Sequence, residues 1–351
     1  MFTVIRRLIW ALILTAIVLV FFESGLRLLI RADFFAKAVE INSLQVLQTK
    51  LHALRRGNSL KVAMLGDSLV YGYAMAEAGD RDWRSHSLPP LLRKELISNG
   101  LHEPYVSNFG MNGLLPKDIE YLVPYFVAAK PDILMFDLTL RSFSRDFSPD
   151  HTQHSRTWIE NLATEKSNSS FFFGKASHSI EIVFANSYIV NVREFVLAWI
   201  FEGSIKDWVS KIRNRLGQRD ATSIPSELLL AMRAKQRYLD IDLQADNPQW
   251  QSLNRALSML AEGHQRTVVF YATENPDILP SLMSSGTHAA MIAKLEKTVT
   301  NQGTDCIIFI PPLKSLVPED FIDHVHLNYQ GNQKLSAELQ IRIEQLLKKP
   351  C

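Results

Sequence analysis

Between Leu60 and Ile310 five short, almost continuously apolar runs recur: LKVAML, YVSNFG, PDILMF, RTVVFYA and DCIIFI. A strand that is apolar at nearly every position, rather than at alternate ones, is a strand covered on both faces, which is the habit of parallel sheets. Parallel neighbours need a long crossover between them, and helical stretches stand where crossovers are required, at Leu88 to Ser98, Lys117 to Ala129, Asn247 to Glu262 and Thr287 to Gln302. The pattern predicts an α/β chain, a three-layer α/β/α sandwich around a five-stranded parallel sheet. In such open sheets reactive groups gather beyond the carboxyl ends of the strands, so the residues that follow each run carry the most weight.

Hydrophobic residues make up 47% of the chain and charged residues 21%, enough for a sizeable core. A formal charge of +2 is too balanced for a protein that grips nucleic acid phosphates, so no nucleic acid partner is expected. Cys306 inside an apolar run and Cys351 at the last position make no disulfide framework, and no CxxC or Cys/His cluster offers a zinc site. The expectation is a fold held by packing alone, with no metal and no cofactor.

Three segments lie outside the sheet rhythm. Arg6 and Arg7 precede a charge-free run from Leu8 to Phe22, and the apolar character continues to Ile30 apart from Glu23 and Arg27. As one helix, residues 8–30 reach roughly 34 Å, enough for a hydrocarbon core of about 30 Å. Residues 1–31 therefore read as a signal anchor whose bilayer partner is lipid, with a cleaved signal and a buried core helix as the alternatives. The short leading flank favours an amino terminus in the cytoplasm and the body outside it, although the flanking charges nearly tie. Residues 32–58 read as an amphipathic juxtamembrane helix, or equally as a first helix packed on the body. Residues 147–263 look like a mostly helical insertion splitting the α/β body into residues 59–146 and 264–351; it reads as a lid or as a subdomain with its own core.

After the first run stands Gly66-Asp67-Ser68-Leu69. A serine at a strand-to-helix turn presents its hydroxyl at the carboxyl edge, with nearby backbone N–H groups available to a developing oxyanion. Near the other end Asp323-His324-Val325-His326-Leu327-Asn328 precedes a final amphipathic helix. Serine needs a base, and the base needs a carboxylate to orient it, so Ser68, His326 and Asp323 form a candidate triad in which Asn328 caps the helix that follows. A merely structural His–Asp pair and an HxH metal site are the rival readings of that segment. Glu274-Asn275-Pro276, after the fourth run, falls on the same edge, either as a substrate contact or as the turn that closes the strand.

These blocks resemble the SGNH (GDSL) hydrolase superfamily over about Leu60 to Arg145 and Arg266 to Lys348. The resemblance implies a flavodoxin-like sandwich, an ester hydrolase or O-acyltransferase activity, and catalytic roles for Ser68, Asp323 and His326. It also implies an oxyanion hole that includes the Ser68 amide and, from the second block, Gly113 rather than Gly110. The third block departs from the family. Where G-x-N-D is expected the chain reads Thr139-Leu140-Arg141-Ser142, so that Arg141, or Asn112, is left to supply the missing donor, or Arg141 makes a salt bridge to the insertion. With the anchor, the likeness extends to tethered SGNH-like proteins of the bacterial inner membrane whose periplasmic bodies modify envelope polymers. The implied substrates are acyl esters of envelope glycans, acetyl first among them. The alternatives are a non-catalytic, glycan-binding component of an envelope biosynthesis complex, and a lipase.

Overall fold

The computed structural model describes residues 41, 44–56, 59–145 and 240–351, with isolated positions at 10, 11, 13–15, 17, 18, 21, 158, 159, 235 and 238. The chain divides into two compact units, Met1–Val39 with Ser169–Arg219, and Glu40–Asn168 with Asp220–Cys351; the sheet belongs to the second. Most of the expected anchor at 8–30, and of the stretch from 147 to 239, lies outside the described residues. Among those described, no helix is long and apolar enough to cross a membrane.

In chain order the principal elements are α1 (Leu44–Arg56), β1 (Lys61–Gly66), α2 (Ser68–Tyr71), α3 (Leu88–Ser98), β2 (Tyr105–Gly110), α4 (Pro116–Ala129), β3 (Ile133–Leu138), α5 (Pro248–Glu262), β4 (Thr267–Tyr271), α6 (Ser285–Thr300), β5 (Ile307–Ile310) and α7 (Tyr329–Leu347). The five strands form one sheet in the order β2-β1-β3-β4-β5, and every pairing is parallel. The order reverses between β1 and β3, which places the topological switch beside the carboxyl end of β1.

Because side chains alternate along a strand, each run feeds both faces. Ala63, Leu65, Phe136, Leu138, Val269, Tyr271 and Phe309 enter one apolar cluster with residues of α1, α4, α5 and α6. Val62, Met64, Met135, Val268, Phe270 and Ile310 enter another with Leu88, Leu92 and Leu96 of α3 and Leu335, Leu339, Ile343 and Leu346 of α7. Helix starts are set locally. The Asn247 side chain accepts from the amides of Gln249 and Trp250 at 2.8 and 3.3 Å, with Pro248 at the first helical position, and Ser284 accepts from Thr287 at 3.1 Å.

The described parts of two segments outside the sheet rhythm pack on the body that holds the sheet. In α1, Val46, Leu47, Leu51 and Leu54 are buried, and Lys50 Nζ donates to the carbonyl of Asn108 at 2.5 Å; this described part of the 32–58 stretch lies on the body. At the end of the 147–263 stretch, α5 buries Trp250, Leu253, Ala256, Leu257 and Leu260 in the same cluster as α4. Arg255 also grips Glu120 of α4 with two hydrogen bonds of 2.6 and 2.9 Å.

The expectation of a fold held by packing alone is corrected by a disulfide between Cys306 and Cys351. Cys306 immediately precedes β5, and α7 runs back from the carboxyl edge until Arg266, just before β4, donates to the carbonyl of Lys349 at 3.3 Å. That return brings the Cα atoms of Cys306 and Cys351 within 5.3 Å, a normal separation for the bond. Spacing in the sequence hides this contact because it depends on the length and direction of the last helix.

Candidate active site

Gly66 ends β1 where no other residue fits: a Cβ there would lie 2.3 Å from Val70 Cγ2 and 2.6 Å from Asp137 Oδ1. The chain turns straight into α2, a four-residue turn of helix with Ser68 at its first position. Asp67 caps it, its Oδ1 accepting from the Leu69 amide at 2.8 Å, and Gly72 closes it in the left-handed region at φ 84°. On the neighbouring strand Gly110 admits this helix, since a Cβ there would stand 2.5 Å from the Tyr71 backbone nitrogen.

Beyond β5 the residues from Phe321 to Leu327 fold back on themselves. Phe321 and Leu327 form an isolated antiparallel bridge, Ile322 N donates to the carbonyl of His326 at 2.7 Å, and Asn328 N donates to the carbonyl of Asp320 at 2.8 Å. Asn328 caps α7 as expected, its Oδ1 accepting from the Gly331 amide at 3.1 Å. Asn275, after β4, supports the loop from outside, its amide donating to the carbonyl of His324 at 2.9 Å and its side chain to that of Asp323 at 3.4 Å. Glu274 next to it is buried, with the hydroxyls of Tyr238 and Tyr271 on Oε1 and His288 Nε2 3.2 Å from Oε2. Asn275 thus supports the loop, while Glu274 ties Tyr238, Tyr271 and His288 together.

The two ends of the chain meet here. Ser68 Oγ lies 2.6 Å from His326 Nε2, and His326 Nδ1 lies 2.7 Å from Asp323 Oδ2. A carboxylate only accepts, so Nδ1 carries the ring proton and Nε2 is the lone pair that faces the serine hydroxyl. The other carboxylate oxygen, Oδ1, accepts from the amides of Val325 and His326 at 2.9 and 2.8 Å. Burial alone would raise the Asp323 carboxyl, yet the hydrogen bond and charge of His326, followed by His324 and the Val325 amide, hold it below its ordinary value. It therefore stays ionised and fixes both the ring and its tautomer.

Beneath Ser68 lies a second set of charges. Arg141 Nη2 donates to Asp67 Oδ2 at 2.7 Å, and each side chain is only 6% exposed. Asp137, at the carboxyl end of β3, accepts from the Asp67 amide at 2.9 Å. Burial pushes both carboxyls up. In Asp67 the Arg141 charge and a hydrogen bond from Asp137 reverse the effect, while in Asp137 the charge of Asp67 adds to it and the group is raised well above its usual range. The two neighbouring carboxyls are thus pushed in opposite directions.

Of the residues expected at an oxyanion hole, Gly113 lies in the turn after β2 with φ 68°, Asn112 precedes it, and Arg141 follows β3, all at the carboxyl edge. Arg141 is committed to Asp67. Gly110 N is already taken by Asn108 Oδ1 at 2.7 Å. Sequence reasoning overlooked Asp137 and Tyr238. The signal for Asp137 was present as a carboxyl within the apolar run ILMFDL; that for Tyr238 was not, because its partners Glu274 and the His324 ring are distant in sequence. No family model matches the chain, and no curated protein is significantly similar to it.

Proposed function

We propose that the protein is an SGNH-type serine esterase or O-acyltransferase acting on acyl esters of cell-envelope glycans. The observation that carries this reading is the alignment of Ser68 Oγ, the His326 ring and the Asp323 carboxylate through contacts of 2.6 and 2.7 Å at the carboxyl edge of the sheet. The strand order 2-1-3-4-5 supports it, being that of the flavodoxin-like folds.

In the proposed reaction Ser68 Oγ attacks the ester carbonyl carbon as its proton passes to His326 Nε2, and Asp323 stabilises the imidazolium. Backbone amides, with those of Ser68 and Gly113 foremost, receive the charge on the carbonyl oxygen. Collapse breaks the ester C–O bond; His326 returns the proton to the departing alcohol, leaving an acyl-Ser68. Water or a sugar hydroxyl, deprotonated by His326, then takes the acyl group and restores the serine.

The proposal includes a body outside the cytoplasmic membrane of a bacterium, tethered by residues 8–30. Trp10, Leu14, Val18 and Phe21 are helical and exposed, as a lipid-facing segment requires, and a disulfide belongs to an oxidising compartment.

A fluorophosphonate probe tests the chemistry. The full-length protein should label at Ser68, and Ser68→Ala should abolish labelling and lower ester turnover by about 10^4-fold or more. A blank wild type would make the protein a binding component instead. Incubation with O-acetylated envelope glycan then separates release of acetate from transfer to a second sugar.

A further inference from the structure

We propose that Arg141 is a positioning residue that locks the turn bearing the nucleophile to the loop bearing the base, through Asp67 on one side and His324 on the other. The inference rests on the triad reading and adds to it what stands in the place of the missing third-block asparagine.

Asp67 does two things at once. Its Oδ1 caps α2 through the Leu69 amide, and its carbonyl accepts the Tyr71 amide at 3.0 Å, so the direction of this carboxylate sets the direction of the helical turn that begins at Ser68. Its other oxygen, Oδ2, faces Arg141 Nη2 at 2.7 Å. On the far side Arg141 Nη1 lies 3.4 Å from His324 Nε2. A guanidinium has no lone pair to offer, so Nε2 accepts and His324 carries its proton on Nδ1, 3.7 Å from Asp323 Oδ1. His324 thus stands between the guanidinium and the triad carboxylate. Its ring packs edge-on against Tyr238 and against His326, with centroids at 6.4 and 6.5 Å, and its carbonyl is held by the Asn275 amide.

Strands β1 and β5 are not neighbours in the sheet, so the nucleophile and the base do not share a ladder. Arg141 follows β3, which lies next to β1 and is separated from β5 by β4. From there its fork reaches the groups flanking both: Asp67 directly before Ser68, and His324 between Asp323 and His326. A bidentate cation suits this bridging task, and lysine, a single point charge, does not. With Nη2 on Asp67 and Nη1 on His324, the guanidinium acts on the reaction through these two residues rather than on the oxyanion.

Turnover of p-nitrophenyl acetate by the full-length protein and its variants tests this. Arg141→Gln should lower kcat by about 10- to 100-fold with KM nearly unchanged, the scale of a small misplacement of reacting groups. Asp67→Asn should lower it comparably, and the double variant Asp67→Asn/Arg141→Gln should be no worse than the worse single one, because each residue acts through the other. The acid limb of the kcat/KM profile should move to higher pH in Arg141→Gln and return towards its original position in the double variant. Among the described residues the groups that face the guanidinium are Asp67, Asp137, Asp323, Tyr238 and His324, and a purely structural role would leave the limb in place. Arg141→Lys should not recover the wild-type rate. Thermal melts accompany each variant; if Arg141→Gln fails to fold, the charge-neutral double variant and Arg141→Lys carry the comparison. The proposal is overturned if Asp67→Asn is nearly silent while Arg141→Gln alone loses about 10^2- to 10^3-fold, the behaviour of an oxyanion donor. It is also overturned if Arg141→Gln matches wild type while Ser68→Ala is inactive. Activity persisting in Ser68→Ala would instead remove the triad reading beneath it.

Discussion

Asp137 is the one acidic group in a fully buried strand, and burial together with the Asp67 charge raises its affinity for protons well above that of an ordinary aspartate. A folded-state affinity for protons above that of the unfolded chain contributes stability that is complete below the ordinary aspartate range, near pH 4, and is lost as pH rises towards the folded value. Asp67 and Asp323 work in the opposite sense. Their lowered values contribute stability that is complete above that range and is lost as the pH falls from it towards the lower folded-state values. Asparagine copies the shape and donor of a protonated aspartate, so Asp137→Asn should raise the melting temperature by a few degrees at pH 8 and leave it almost unchanged at pH 4. Melting curves across that interval check this, and an equal effect at both ends would contradict a neutral Asp137. The contact of Ser68, His326 and Asp323 was legible in the sequence because a serine, a histidine and a carboxylate placed after strands stand out by residue type and position. Arg141 stood out in the sequence as a cation after the third run but its partner did not, since a contact across 74 positions leaves no local trace.

The repeating elements were easier to read than the site. Each apolar run became a strand, and the helix expected from Leu88 to Ser98 has those bounds in the structure, because apolar spacing, prolines at helix starts and capping side chains all act within a few residues. What short-range signals could not say was what an amphipathic stretch would face: α1 buries its apolar stripe on β2 and α4, a choice that depends on tertiary partners. The joint between β1, α2 and β2 depends on glycine twice. Gly110→Ala should cost about 1–3 kcal/mol, the usual range for overpacking, because the obstructing atoms are Tyr71 backbone rather than a side chain that can swing away. Pushing α2 outwards also moves Ser68, so fluorophosphonate labelling of the folded variant should slow. A stable protein labelled at the wild-type rate would contradict the tight joint.

At the scale of the whole molecule the parallel sheet was legible and the covalent tie was not. The disulfide joins positions 45 apart, and closing a loop of that size in the unfolded chain gives about 4 kcal/mol of stability on the chain-entropy model. Reduction, or Cys306→Ser with Cys351→Ser, should therefore lower the melting temperature by on the order of 10 °C, while ester turnover at room temperature persists because the bond lies at the amino edge, away from Ser68. Melts with and without reductant measure the effect, and coincident curves would show that the bond adds nothing. The same topology also governs when the chemistry becomes possible. Ser68 and His326 are separated by 258 positions, and the ribosome makes the alcohol first. On the proposed mechanism, a nascent or clipped copy that stops before Asp323 holds the Ser68 hydroxyl but lacks His326 to accept its proton, so fluorophosphonate labelling would begin only once translation has passed that histidine.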